Sequence, residues 1–198
     1  ELLSSAVKKF DGLDDYPLKD HDIGDCHSLL GRTYLVAGDM RSVRDSMRAA
    51  YGLISPGSKE FADLLILDGD FETRQRNYSD AINLFSESLN EIAAAKNQWS
   101  EIRARALRQR AKTYKLIQQT SKSKQDFEKA SVIWKELKRP HNVAEMEWEM
   151  ILIDEKLSQN SIEQLKGDTP TVRVAVAMLH LEALGERARS KLHVSSRE

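Results

Sequence analysis

Residue types that bind metals are concentrated in one short acidic segment. Asp20-His21-Asp22 is followed closely by Asp25-Cys26-His27, and carboxylate, imidazole and thiolate groups are the usual ligands of zinc. Zinc sites, however, repeat paired cysteines or histidines at short spacing, and this chain has only one cysteine. We therefore expect no metal site. We interpret residues 12–22 as a polar loop that leads into a helix N-terminus, where the helix dipole favours aspartates.

A row of cationic residues is the second candidate for chemistry. Arg105, Arg108 and Lys112 are separated by three and four positions, which places them on one face of a helix, with Lys115 near its edge. Such a row could clamp a carboxylate-rich peptide, a chain terminus or a phosphate backbone. The alternative is a solvated face that is balanced by acids of neighbouring helices. The acids that we expect nearby are Asp63, Asp70, Glu145 and Glu149.

Catalytic arrangements have little support in the sequence. His141, His180 and His193 are scattered along the chain, and no serine or cysteine stands in the strand–turn–helix setting of an activated nucleophile. Glycine-rich phosphate-binding loops are also missing. Neighbouring carboxylates such as Glu147 and Glu149 are typical of a solvated helix face. The sequence therefore predicts no enzyme and no cofactor.

Composition favours a helical protein of the cell interior. The 198 residues include 30 Lys and Arg against 31 Asp and Glu, and this balance argues against a general nucleic-acid coat. The single cysteine fits a reducing compartment, and no apolar run is long enough for a membrane span. We expect a cytoplasmic location, with the nucleus as an alternative, and no membrane partner. Because the chain begins with Glu1, we also expect it to be a piece of a longer protein.

The clearest structural element is the segment Asn77–Leu89. Its apolar and small residues recur every three or four positions, which predicts a helix that buries one face. Ala81 and Ser88 flank Phe85 at helical spacing. This arrangement predicts that a neighbouring helix approaches closely while the aromatic ring fills the gap.

This pattern resembles the second helix of a tetratricopeptide repeat (TPR). The preceding repeat matches the same signature through Leu30-Gly31, Tyr34, Gly38-Asp39, Val43, Met47 and Ala50. The resemblance implies an all-α fold, an α–α superhelix of antiparallel helix pairs in which each pair contacts its neighbours. It covers roughly residues 1–157.

The resemblance also implies the organisation of the chain, a single array over residues 1–198. Its predicted parts are a partial repeat at 1–13, helix pairs at 24–57, 58–95 and 99–139, a further helix at 141–157 and a C-terminal capping segment at 161–198. Within the third pair, we interpret Ser121–Asp126 as a polar turn. In the second pair, Phe71 lies one position away from where the family has its aromatic residue.

The first helices of TPR arrays line a concave groove. Placing Tyr114 at the tyrosine position of the family puts Arg105, Arg108 and Lys112 on the groove side, with Lys115 near its edge. Some members grip the C-terminal tail of heat-shock chaperones with lysines and asparagines on these helices. The matching positions here hold other groups, namely Ser28, Arg32, Ile66 and Asp70. That function therefore does not carry over.

Three functions remain open at this level. The first is a protein-interaction scaffold that holds a peptide or a partner helix in the groove, acidic partners included. The second is a regulatory or ligand-sensing domain of a larger signalling NTPase or transcription regulator, whose partner is another domain of the same chain. The third is a nucleic-acid-binding helical repeat, against which the near-neutral charge counts.

One charged residue conflicts with the apolar pattern of its helix. Arg110 stands where the family usually has a large aliphatic residue, and a buried guanidinium without a partner costs several kcal/mol. We predict that it pairs with a carboxylate on an adjacent helix, with Glu72 or Glu147 as candidates. In the alternative, its stem packs while its head reaches water.

Overall fold

The computed structural model describes residues 19–96 and 98–153, together with Ser5, Lys8 and Lys9. Within these residues the backbone forms seven long helices and no strand. The helices are α1 (Lys19–Ala37), α2 (Met40–Leu53), α3 (Lys59–Arg74), α4 (Tyr78–Ala94), α5 (Ser100–Leu116), α6 (Thr120–Glu136) and α7 (Pro140–Ile153). The predicted capping segment at 161–198, most of the partial repeat at 1–13 and residues 154–157 lie outside the described residues.

The contacts divide the chain into two compact units, residues 1–126 and 127–198. In the first unit, α1 packs against α2, α3 against α4 and α4 against α5, while α3 also contacts α1 and α5. The first unit is therefore built from helix pairs that pack on their neighbours. In the second unit, Trp134 and Trp148 are buried, and Lys135 Nζ on α6 lies 3.2 Å from Glu147 Oε1 on α7.

The close approach predicted around Phe85 is confirmed. The ring is fully buried, and a Cβ atom at position 69 would lie 2.5 Å from its Cε1 atom, so Gly69 on α3 leaves the space that the ring occupies. Ser88 Oγ on α4 donates a 2.7 Å hydrogen bond to the backbone oxygen of Ala62 on α3. Small residues thus let the two backbones come together, while the aromatic side chain fills the core between them.

The turns inside the first three helix pairs share one backbone geometry. Gly38, Arg76 and Gln118 have φ angles of 82°, 66° and 60°. In each turn, the N–H groups of this residue and of the next one donate to carbonyls of the preceding helix. In the turn after α1, Gly38 N and Asp39 N donate to Leu35 O and Tyr34 O. Glycine adopts this left-handed conformation readily, so only the turn at Gly38 could be recognised from the sequence.

Two polar segments are more helical than predicted. The predicted loop at 12–22 is wrong for its last residues, because α1 begins at Lys19 and has Asp20 and Asp22 in its first turn. The predicted polar turn at Ser121–Asp126 is wrong as well, because these residues lie in α6. The reason is that two of the polar side chains point inwards: Ser123 Oγ bonds to the backbone oxygen of Ala111, and Asp126 is buried.

Phe71, which lies one position away from the aromatic position of the TPR signature, is a core residue in the structure. Phe71 is buried in the core that α3 shares with the first helix pair, where Val43, Met47 and Leu67 are also buried. The guanidinium of Arg44 on α2 lies 5.8 Å from the centre of its ring. Phe71 thus stabilises the contact between the first pair and α3 by burial.

We expect Gly31→Leu to lower the free energy of unfolding by about 1–3 kcal/mol, because the added side chain overpacks a close contact. A Cβ atom at position 31 would lie 2.9 Å from Leu67 Cδ2 and 3.6 Å from Ser46 Cβ. Thermal unfolding measures the effect. Gly52→Leu is a matched control, since nothing lies within 4 Å of a Cβ atom at that position of α2. Equal melting temperatures for the two variants would contradict the close approach at Gly31.

Candidate functional site

The first helices of the three pairs in residues 1–126 bring a set of charged and polar side chains together. The set joins α1, α3 and α5, which contact each other in that order. We call it the charge cluster; its members are Arg32, Asp63, Asp70, Arg105, Arg108, Gln109 and Lys112. The cluster contains four cationic side chains and two carboxyl groups.

Asp63 joins all three helices of the charge cluster. Arg32 Nη2 on α1 lies 2.7 Å from Asp63 Oδ2 and donates a 2.8 Å hydrogen bond to the backbone oxygen of the same residue. Arg105 Nη2 on α5 donates to Asp63 Oδ1 from the other side. About a quarter of the Asp63 side chain is exposed. This carboxylate therefore has two arginine partners and fixes the spacing of the three first helices.

Asp70 lies seven residues beyond Asp63 on α3, about two turns further along and on the same face. Gln109 Nε2 on α5 donates a 2.5 Å hydrogen bond to Asp70 Oδ1. Burial raises the pKa of Asp70 to about 6, although this hydrogen bond and the positive charges of Arg32, Arg108 and Lys112 lower it. The ionised form of this carboxyl is therefore only moderately favoured at neutral pH.

The arginines of the charge cluster act on one another as well. The pKa of Arg105 is lowered to about 10, mainly by burial and in addition by the positive charges of Arg32 and Arg108. Burial also lowers the pKa of Arg32, while Asp70 raises it. With a pKa of about 10, Arg105 remains charged at neutral pH.

The structure brings three of the four predicted site residues into this cluster. Arg105, Arg108 and Lys112 act on Asp63 or Asp70, as the distance to Asp63 and the pKa of Asp70 indicate. Lys115 lies one turn beyond Lys112, in the last turn of α5. The expectation that Asp63 and Asp70 lie near the row is confirmed. Glu145 and Glu149 belong to the second unit.

Sequence reasoning missed Arg32 and Gln109 as members of the cluster. The available signal for Arg32 was its position, because the predicted repeat register gives Arg32 and Asp70 matching places in consecutive repeats. Gln109 gives no such signal, since a glutamine among arginines on a helix is typical of an exposed face.

In the acidic segment around His21, the imidazole pairs with a glutamate of α3. His21 Nε2 lies 3.2 Å from Glu60 Oε2 on α3, and the hydrogen bond to Glu60 raises the pKa of the imidazole. Burial raises the pKa of the Cys26 thiol. No group of three or more His, Cys, Asp or Glu side chains that could hold a metal ion occurs within residues 19–96 and 98–153.

Arg110 lies outside the charge cluster and has partners of its own. Its Nε and Nη2 atoms donate to the two carboxylate oxygens of Asp126 at 2.7 and 3.0 Å, and its Nη1 donates to Ser86 Oγ at 2.9 Å. The prediction of a carboxylate on an adjacent helix is confirmed, but the two candidates were wrong. Glu72 accepts a hydrogen bond from Asn77 instead, and Glu147 pairs with Lys135.

Comparisons with known proteins add no assignment. A scan against protein-family models gives no match, and a search of the curated proteins gives no significant relative. Among the helices of the described residues, none combines the length and the apolar character that crossing a membrane requires.

Proposed function

We propose that this chain is a protein-interaction module that holds an acidic segment of a partner protein against its first helices. The observation that carries the proposal is the charge cluster itself, which gathers Arg32, Arg105, Arg108 and Lys112 with two carboxyl groups on three neighbouring helices. Attraction between such a surface and an acidic partner speeds association and sets the orientation of the partner.

Exposed apolar side chains flank the charge cluster and could supply the binding energy that ion pairs alone rarely give. Leu29 and Val36 on α1 are 50% and 82% exposed, and they lie three positions before and four positions after Arg32. Leu116 on α5 is 55% exposed and follows Lys112 by four positions. At these spacings the residues are neighbours on the helix surface. A partner segment that combines acidic and apolar residues fits this surface best.

The same proposal includes the architecture, a TPR-like superhelix whose first helices line the inner face. Its support is the alternation of contacts in the first unit, where α1 and α3 each pack on their own second helix and also on the next first helix. Gly31 adds to this support, because it faces Leu67 of the next first helix as well as Met47 of its own pair.

The test is affinity capture from a lysate of the source cells with a charge-reversed bait. We expect Arg108→Glu with Lys112→Glu to lose at least one specific protein that the parent chain retains, because two attractive charges become repulsive. Arg105 is left unchanged, since it pairs with Asp63. Arg41→Glu with Arg48→Glu is the matched control: both arginines are exposed and lie seven positions apart on α2.

Each outcome of the capture has a definite meaning. Loss of the same protein from both charge-reversed baits, or from neither, would refute the proposed surface. Capture that depends on intact nucleic acid, as shown by nuclease treatment, would replace the proposal with nucleic-acid binding. Circular dichroism of each variant shows whether the helices are retained.

A further inference from the structure

We propose that the outer face of α1 is a docking site for the N-terminal segment of the same chain, residues 3–13, in helical form. The outer face is defined by Cys26, Leu29 and Thr33, which follow one another at spacings of three and four and therefore share one side of the helix. It adjoins the charge cluster at Leu29 but is a separate surface, so this inference does not depend on the proposed function.

A repeated helix pair within the first unit shows what covers such a face elsewhere. A Cβ atom at Gly31 on α1 would lie 3.9 Å from Met47 Cγ on α2. A Cβ atom at Gly69 on α3 would lie 2.5 Å from Phe85 Cε1 on α4. Since Met47 and Phe85 follow their glycines by the same number of residues, the two helix pairs are equivalent. Counted from these glycines, the outer face of α1 corresponds to three residues of α3, namely Leu64, Leu67 and Phe71.

The two equivalent faces differ in what covers them. The three residues of α3 are buried in the core that this helix shares with the first helix pair. On α1, Leu29 is 50% exposed and Thr33 is exposed as well. Gly31, which faces α2 and α3, lies on the opposite side of α1. The outer face is therefore of the kind that packs on a preceding helix, and α1 is the first of the seven long helices in the described residues.

The N-terminal segment has the character of the missing partner. The structure describes Ser5, Lys8 and Lys9 of this segment, and all three are helical and exposed. Their spacing of three and four from Ser5 places them on one polar side of a helix. The sequence puts apolar side chains on the other side of such a helix, at Leu3, Ala6, Phe10 and Leu13. Because short helices depend on packing of an apolar side for stability, this segment and the outer face complement each other.

The connection to α1 determines where the segment can dock. Residues 14–18 can span roughly 17 Å when extended, which is enough to reverse the chain between helices packed about 8–10 Å apart. Residues 3–13 form a stretch as long as residues 19–29. An antiparallel arrangement would therefore place Ala6 beside Cys26. The predicted partial repeat thus acquires a specific surface on α1.

The experiment uses Cys26, the single cysteine of the chain, as a probe of the outer face. In Ala6→Cys, a glutathione redox buffer sets the equilibrium between two thiols and an intramolecular disulfide, which requires the two Cα atoms to lie about 4.4–6.8 Å apart. Lys8→Cys is the matched control, because position 8 lies on the exposed side of the segment. We expect the disulfide of Ala6→Cys to be favoured over that of Lys8→Cys by at least about tenfold, since docking raises the effective concentration of the two thiols.

A second substitution separates docking from mere closeness along the chain. Adding Phe10→Asp to Ala6→Cys should reduce the disulfide equilibrium to the level of Lys8→Cys, because burial of an unpaired charge is unfavourable. Equal equilibria for Ala6→Cys and Lys8→Cys would overturn the inference, as would an Ala6→Cys disulfide that Phe10→Asp leaves unchanged. Disulfide-linked dimers in place of the intramolecular bond would assign the outer face to a second copy of the chain and would likewise overturn it.

Discussion

Replacement of Asp126 by alanine is expected to lower the free energy of unfolding by about 3–5 kcal/mol, the range observed when one partner of a buried ion pair is removed. Asp126 is only 3% exposed and accepts two hydrogen bonds from the Arg110 guanidinium. In the variant, Arg110 would keep its bond to Ser86 but lose its counter-charge. A buried cation in that state is far more costly than a lost surface pair.

Chemical denaturation followed by circular dichroism measures this effect. Two further variants separate the cost of the lost charge pair from that of a single hydrogen bond. Ser86→Ala removes a single hydrogen bond to Arg110 and should cost about 1–3 kcal/mol. The double variant Arg110→Leu, Asp126→Ala removes both charges and should recover much of the loss, because the desolvation penalty disappears with them. If Asp126→Ala alone unfolds at the same denaturant concentration as the parent, the pair is not buried in solution as the structure has it.

The second large effect is expected for Phe85→Ala, which should cost about 3–5 kcal/mol through lost burial and the cavity that remains. The ring is fully buried in the core shared by α3, α4 and α5, together with Ile66, Ile92 and Ile102. Equilibrium unfolding measures the loss. A cost below about 1 kcal/mol would contradict the packing described here.

A pair of variants tests why Gly69 faces this ring. Gly69→Ala in the parent should be destabilising, since its Cβ atom would lie 2.5 to 2.8 Å from three atoms of the Phe85 ring. In a Phe85→Leu background the same substitution should cost less, because the ring is no longer there. The difference between the two costs measures the coupling between the positions. Additive effects would show that the clash is relieved elsewhere.

The second helix of the middle pair could be predicted from the sequence because its signal is local. Ala81, Phe85, Ser88 and Ile92 repeat at helical spacing, and the structure buries all four. Ser58 is of a residue type preferred at helix N-caps, and at the start of α3 its Oγ accepts the Phe61 N–H at 3.0 Å. Asn77 occupies the corresponding position before α4 but makes no side-chain cap bond.

The start of α6 shows where local reasoning stops. Ser-Lys-Ser-Lys-Gln-Asp resembles a solvent-exposed turn, yet Ser123 and Asp126 satisfy buried groups of α5. Composition cannot separate a polar residue that faces water from one that faces a buried partner, because the difference depends on the neighbouring helix. The same misinterpretation hid the partner of Arg110, since a residue in an exposed turn is not considered as a buried counter-ion.

Only part of the charge cluster could be predicted, because spacing shows which residues share a face of one helix but not which helices come together. The row of Arg105, Arg108 and Lys112 follows from spacing along one helix, and the nearby acids follow from the repeat register. Arg32 lies on α1, four helices before the row on α5, and pairs with Asp63 of α3. The raised pKa of Asp70 depends on how deeply three helices bury it, which no spacing within a single helix contains.

The neighbour-to-neighbour contacts of the first unit also have a consequence for how this part of the chain reaches its structure. Its main packing contacts join helices that are adjacent or next to adjacent in sequence. Little chain entropy is lost in closing such short loops, and proteins with this contact pattern fold on the fast, microsecond-to-millisecond scale. Each turn at Gly38, Arg76 and Gln118 closes a helical hairpin that can form early. Folding of the unit can therefore start at more than one hairpin and spread to its neighbours.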